Sequence, residues 1–328
     1  MVDLIVARAR VDTTAPDPDN SRSGWRTSDL FTQDVDALVV GQWDDPASYA
    51  EIGRLVLKRV RDLPEVAVLA RLAILRGKRL LPVTLAREGS ILRLAERIEK
   101  AIAVLPDGTR KMRCKSLFEY HMGIFYDAYG RFDLAAFAHM RAVEEADGFG
   151  DRPGAAISLF MATFCFLKDA LGIGRPSVPP EVIFSKLEER FAQLVEAMRG
   201  STLEVQWAEE NGPFYMIEAC VWLDRNHLQW DDWVHSVSQA GKKLGDSCLP
   251  LMEFVRAVNM SSRGFSEADD ALRAINEGHE NEMTTALLIL ARRAVQAGRM
   301  EEARKFVEQM PKLGAQHIRA IAARLLES

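Results

Sequence analysis

The run Asp45-Pro-Ala-Ser48-Tyr-Ala-Glu51-Ile-Gly53 holds the residue types and spacing closest to catalytic chemistry. It directly follows residues 35–41, a short apolar run bounded by turn residues and expected as a buried strand. A carboxylate opening a helix at the C-terminal edge of a parallel sheet stands where ligands bind in open α/β folds. There Glu51 could attack a sugar anomeric carbon or stabilise its cationic transition state. The plainer reading is a capped surface helix. Ser48 as N-cap and Glu51 three residues later make a capping box, which needs no active site.

The same segment resembles the nucleoside deoxyribosyltransferase family, which has an acidic residue, a small residue, Ser or Thr, then Glu-Ile/Leu-Gly. It is also similar to the related Toll/interleukin-receptor-type domains, which place a glutamate on the corresponding helix. The resemblance covers about residues 30–105. It implies Glu51 as nucleophile, Asp45 and Ser48 positioning the sugar, and a nucleotide or NAD as substrate. The chain departs from the family where Gly77-Lys78 follows Glu51 only after 26 residues.

Arg54, Lys58, Arg59, Arg61, Arg71, Arg76, Lys78 and Arg79 face only Asp62 and Glu65 in the same window, a basic run able to meet an anionic partner. No aromatic residues interleave there to stack bases, so a solvated helix face is the better reading and nucleic acid is disfavoured. Cys114 with His121 and Cys220 with His227 share an i, i+7 spacing. A zinc site would need two such distant pairs to converge, so no metal is expected. No phosphate-binding glycine loop, dinucleotide turn or Gly-x-Ser-x-Gly elbow occurs, and no cofactor is expected.

Six large aromatics crowd one window: Trp207, Phe214, Tyr215, Trp222, Trp230 and Trp233. At helical spacing such residues are usually core, which suits Trp222, Trp230 and Trp233. Trp207 and Tyr215, beside the Gly212-Pro213 break, are placed to line a groove for a partner's peptide. The five named Trp and Tyr residues form the expected partner-binding set.

The elements that must position these residues divide at about residue 112. Residues 2–11, 35–41 and 78–84 read as strands, alternating with helical stretches at 49–61, 65–76 and 90–104, the last capped by Ser90. Residues 1–112 are therefore expected as a small α/β domain with a short parallel sheet. The remainder reads as helical hairpins. In residues 284–311, Leu287, Leu290, Ala291 and Ala294 make an apolar stripe, Gly298 a left-handed helix end, Ala303, Val307 and Met310 a second stripe, and Pro311 a stop. Thirty-five residues before Met300, Ala303, Val307 and Met310 stand Phe265, Ala268, Leu272 and Ile275. Another such step gives Trp230, Trp233, Val237 and Ala240.

Gly123, Tyr126, Gly130, Phe132, Ala135 and Ala142 repeat this logic and resemble the tetratricopeptide repeat family. The block from Thr284 is also similar to a pentatricopeptide repeat, which raises RNA binding only slightly. The resemblance implies a mostly α chain, a helical-hairpin solenoid over residues 113–328.

The chain has 328 residues, 48% hydrophobic and 27% charged, with a formal net charge of −5. No apolar run reaches the roughly 18 residues of a membrane span. Its four widely spaced cysteines read as buried free thiols. The expectation is a soluble, cytoplasmic, bacterial adaptor that binds a protein or peptide, with no membrane contact. The alternative is an N-glycosidase or deoxyribosyltransferase-like enzyme using Glu51, with the repeats as sensor.

Overall fold

A computed structural model describes residues 46–59, 64–79, 83–172, 176–201, 203–244, 249–275 and 280–327. The described residues are mostly helical, in fourteen α-helices and one π-helical segment. They fall into two units. The first takes the chain up to Tyr129 together with Leu134–Ala162, and the second takes Gly130–Asp133 and the chain from Thr163 onward.

In the first unit, α1 (Pro46–Arg59), α2 (Pro64–Arg79), α3 (Leu85–Ala103), α4 (Thr109–Ala128) and α5 (Phe132–Gly148) follow one another with short connections. Residues 112 and 113 are consecutive within α4. Helix α2 buries Val66, Val68, Leu69, Leu72, Ala73 and Leu75 against Ile91 and Ile98 of α3 and Phe118, Met122 and Phe125 of α4. Gly53 lets α1 lie directly on α2: a Cβ there would stand 2.6 Å from the Ala70 carbonyl oxygen. Gly123 does the same for α4 and α5, since its Cβ would meet the His139 ring at 2.6 Å.

The expected parallel sheet is not found among the described residues. Its third strand is overturned at its start, because α2 runs through Gly77 and Lys78 to Arg79. The seven-residue stretch 78–84 was too short to distinguish helix from strand by periodicity. Its first two strands, at 2–11 and 35–41, lie outside the described residues. The cap expected at Ser90 is also corrected. Helix α3 starts five residues earlier, where Thr84 accepts a hydrogen bond from the Arg87 amide at 3.3 Å. Ser90 instead accepts a hydrogen bond from Lys78.

Helix α6 (Arg152–Gly172) contributes its first half to one unit and its second half to the other. By length and composition alone it could cross a membrane, but 78% of its most apolar window is buried. Asp151, itself buried, caps it by accepting from the Gly154 amide at 2.9 Å.

The second unit continues with α7 (Pro180–Met198), the π segment (Val205–Asn211), α8 (Gly212–Trp222), α9 (Trp230–Leu244), α10 (Leu249–Ser262), α11 (Ala268–Arg273), α12 (Glu280–Gln296), α13 (Met300–Gln309) and α14 (Gln316–Glu327). Pro213 has no N–H for the carbonyl four residues back, and the chain answers by widening into a π turn rather than breaking. The orphaned Glu209 carbonyl accepts a hydrogen bond from Ser236 of α9 at 2.9 Å.

Three hairpins follow, α8–α9, α10–α11 and α12–α13, and the first helix of each ends the same way. Asp224, Gly264 and Gly298 take left-handed backbone with φ of 52°, 74° and 72°. The next residue donates its amide back across the turn: Arg225 to Cys220, Phe265 to Met260, Arg299 to Ala294, at 2.8–3.0 Å. This is the turn anticipated at Gly298, found in three successive copies.

Candidate interaction surface

The 35-residue step predicts which side of each second helix turns inward. At its second position Trp233, Ala268 and Ala303 are all buried, and at its fourth Ala240 and Met310 are buried while Ile275 is half-buried. At the third, Val237 and Leu272 are buried, whereas α13 turns slightly and buries Phe306 in place of Val307. The first position behaves differently. Trp230 and Met300 are half-buried and Phe265 is 51% exposed, each at the N-terminal edge of its second helix. Leu228, two residues before Trp230, is fully exposed.

Trp230 is held in place by its indole N–H, which donates to Asn259 Oδ1 at 3.1 Å. Arg263, at the end of α10, pairs with Asp231 at 2.7 Å and ties the same edge to the next hairpin. An amphipathic ring fixed at its polar end and partly open on its face suits an apolar contact.

The other aromatic residues named from sequence are spent on the interior. Trp207 and Trp233 are buried, Trp233 stacked on His227 with ring centroids 4.5 Å apart. His227 in turn meets Glu188 at 2.6 Å. Tyr215 is half-buried against Phe164 and Phe214. Trp222 belongs to a polar centre inside the unit. The Lys168 side chain, 5% exposed, lies 4.9 Å from the Phe164 ring centroid, 5.6 Å from Phe132 and 5.7 Å from Trp222. An aromatic cage of this kind suits a desolvated cation, and here the chain supplies its own.

The Trp222 N–H donates to the Thr285 hydroxyl at 3.3 Å, and that hydroxyl donates to the buried Glu218 at 3.3 Å. The His317 ring stands edge-on to Trp222 at 4.6 Å and to Phe132 at 4.9 Å. Burial, aided by the Lys168 charge, holds His317 well below the usual imidazole range, so the ring is neutral. This centre ties α6, α8, α12 and α14 together and is a packing device.

No family model matches the chain, and no curated protein or solved structure matches it significantly.

The residues read for sugar chemistry are placed as follows. Glu51 is on the exposed side of α1. Ser48 is in the first turn of that helix, and Asp45 lies outside the described residues. The Ile-Gly that follows Glu51 has a packing reason in the α1–α2 contact at Gly53. Cys114 and Cys220 are buried, and burial pushes each thiol up to about 12, far from a nucleophilic range. Phe265 and Leu228 are the surface residues that sequence reasoning did not single out. For Phe265 the signal was present, because the repeat step put it in line with Trp230.

Proposed function

We propose that the chain is a recognition protein, a tetratricopeptide-like helical-repeat array that holds a segment of a partner protein. The partner segment is a peptide or a single helix with apolar anchors. It lies on the N-terminal edges of α9, α11 and α13, over Trp230, Phe265 and Met300, with Leu228 at one end.

One observation supports this most. Three of four repeat positions are drawn into the core or its margin, while the remaining one carries a large apolar side chain in each copy and stays wholly or partly outside. Isolated exposed apolar residues need no explanation, but the same register position filled three times by Trp, Phe and Met does. Stacked hairpins present such positions as a row, and rows of this kind serve extended ligands. Large aromatic side chains at a row's centre carry most of the binding energy in comparable contacts.

The test is recovery of a partner with the full chain and with a Trp230→Ala, Phe265→Ser double variant. The reading predicts one recurrent partner that copurifies with the full chain and is lost with the double variant, whose helical circular dichroism stays unchanged. A partner retained by the double variant would place binding elsewhere.

A further inference from the structure

His317 stands in the first turn of α14 and is only 2% exposed, yet among the described residues neither of its ring nitrogens has a hydrogen-bond partner. An imidazole always has polar nitrogens to satisfy, so this ring is held by shape alone. It stands edge-on to Phe132 at 4.9 Å and to Trp222 at 4.6 Å. Gly172, at the end of α6, lets the α14 backbone come close, since a Cβ there would lie 3.7 Å from the His317 Cα. The rest of the hold on α14 is small. Gln316 lies over Gly130, Arg319 donates to the Met310 carbonyl and Arg324 to the Leu171 carbonyl, each at 2.8 Å, and Ile318, Ile321 and Ala322 are buried.

The surroundings of the ring are poor in places for a second positive charge. Lys168 of α6 lies against the same two rings, its ammonium 5.6 Å from the Phe132 centroid and 5.7 Å from Trp222. Arg292 of α12 donates to the Trp222 carbonyl at 2.9 Å, and α14 itself carries Arg319 and Arg324. The first turn of a helix is also the positive end of its dipole. Of the carboxylates, Glu218 of α8 accepts from the Thr285 hydroxyl of α12 at 3.3 Å, while Asp133, next to Phe132, acts on Asp169, next to Lys168. None of the three bonds to His317.

We propose that acid opens the molecule locally at α14: a protonated His317 is incompatible with the docked helix, so α14 detaches and uncovers Phe132 and Trp222 while α8 and α12 stay folded. Burial first, and then the Lys168 charge, keeps the ring neutral while the helix is docked. Once detached, the ring takes up a proton around its ordinary value of about 6.5. The detached population therefore changes little above pH 7 and rises by about thirtyfold between pH 7.5 and pH 5. A single short helix with few buried side chains is the kind of element that opens before the core does.

Hydrogen exchange of the full chain at pH 7.5 and pH 5, corrected for intrinsic rates and read by mass spectrometry, tests this. Amides of α14 should lose protection by about thirtyfold, and those of α8 and α12 by far less. In His317→Phe, which keeps a ring of similar size, the loss in α14 should shrink to about threefold or less. Unchanged protection of α14 in the native chain would overturn the switch, and so would an equal loss in the Phe variant. A parallel loss in α8 and α12 would overturn the local character of the opening. The native chain alone decides between these, so the comparison holds even where the variant does not fold.

Discussion

The fold opposes the ionisation of His317, wedged between Trp222 and Phe132 with Lys168 nearby. Its folded-state value is depressed, so above the unfolded value of about 6.5 neither state binds the proton and the residue has no effect. As pH falls below about 6.5, the unfolded chain takes up a proton that the native chain refuses, and stability declines by at most about 1.4 kcal/mol per pH unit. Urea unfolding between pH 7 and 5 should therefore show a shallower pH slope for His317→Phe than for the native chain. Equal slopes would mean that His317 protonates in place.

The buried thiols behave oppositely. Because Cys114 and Cys220 are pushed up to about 12, iodoacetamide at pH 8 should leave both unmodified until denaturant is added, as read by peptide mass spectrometry. Burial of these cysteines was legible from their place in helical stripes. The neutral His317 was not, because its neighbours come from helices more than 90 residues away in sequence.

Among the elements, the hairpin turns carry the clearest sequence signature. Gly298 and Gly264 sit at φ above 70°, where a side chain costs about 1–2 kcal/mol. Gly298→Val should lower stability by about that amount in thermal or urea unfolding, while a valine at an exposed helical position such as Arg304 should change little. The third turn uses Asp224, and its helix end is held differently. Arg292 of α12 donates to the carbonyls of Val221 and Trp222 and pairs with Asp224 at 3.7 Å. Removing that guanidinium by Arg292→Met leaves the Trp222 carbonyl without its donor, while Val221 keeps the Asp224 amide, at a cost of about 1–3 kcal/mol. A loss below half a kcal/mol in urea unfolding would contradict that role.

The register of Ala303, Ala268 and Trp233 could be read in advance because small or apolar residues recurred at a fixed step. The strand expected at 78–84 failed because Leu80 and Leu81 continue an apolar pattern that suits helix and strand equally. Gly212-Pro213 looked like a break. The Glu209 carbonyl, left without its helical N–H, needs another donor, and the hydroxyl that donates to it, Ser236, is distant in sequence.

Across the whole molecule, the chain spends most of its aromatic residues on cohesion and leaves one repeat position outside. Trp207, Trp222 and Trp233 were named from sequence for a partner and are interior, whereas composition alone could not separate them from Trp230. The difference is set by which helix face packs, and that depends on neighbours 30 or more residues away.

A partner held as proposed would lie along the exposed repeat position. A photo-crosslinking residue placed at position 265 in the full chain reads this most directly, with the same residue at Val182, also exposed, as reference. A single crosslinked partner is expected from 265, lost when Trp230 is changed to Ala, and none from 182. Equal crosslinking from both positions, or a product at 265 indifferent to Trp230, would contradict it.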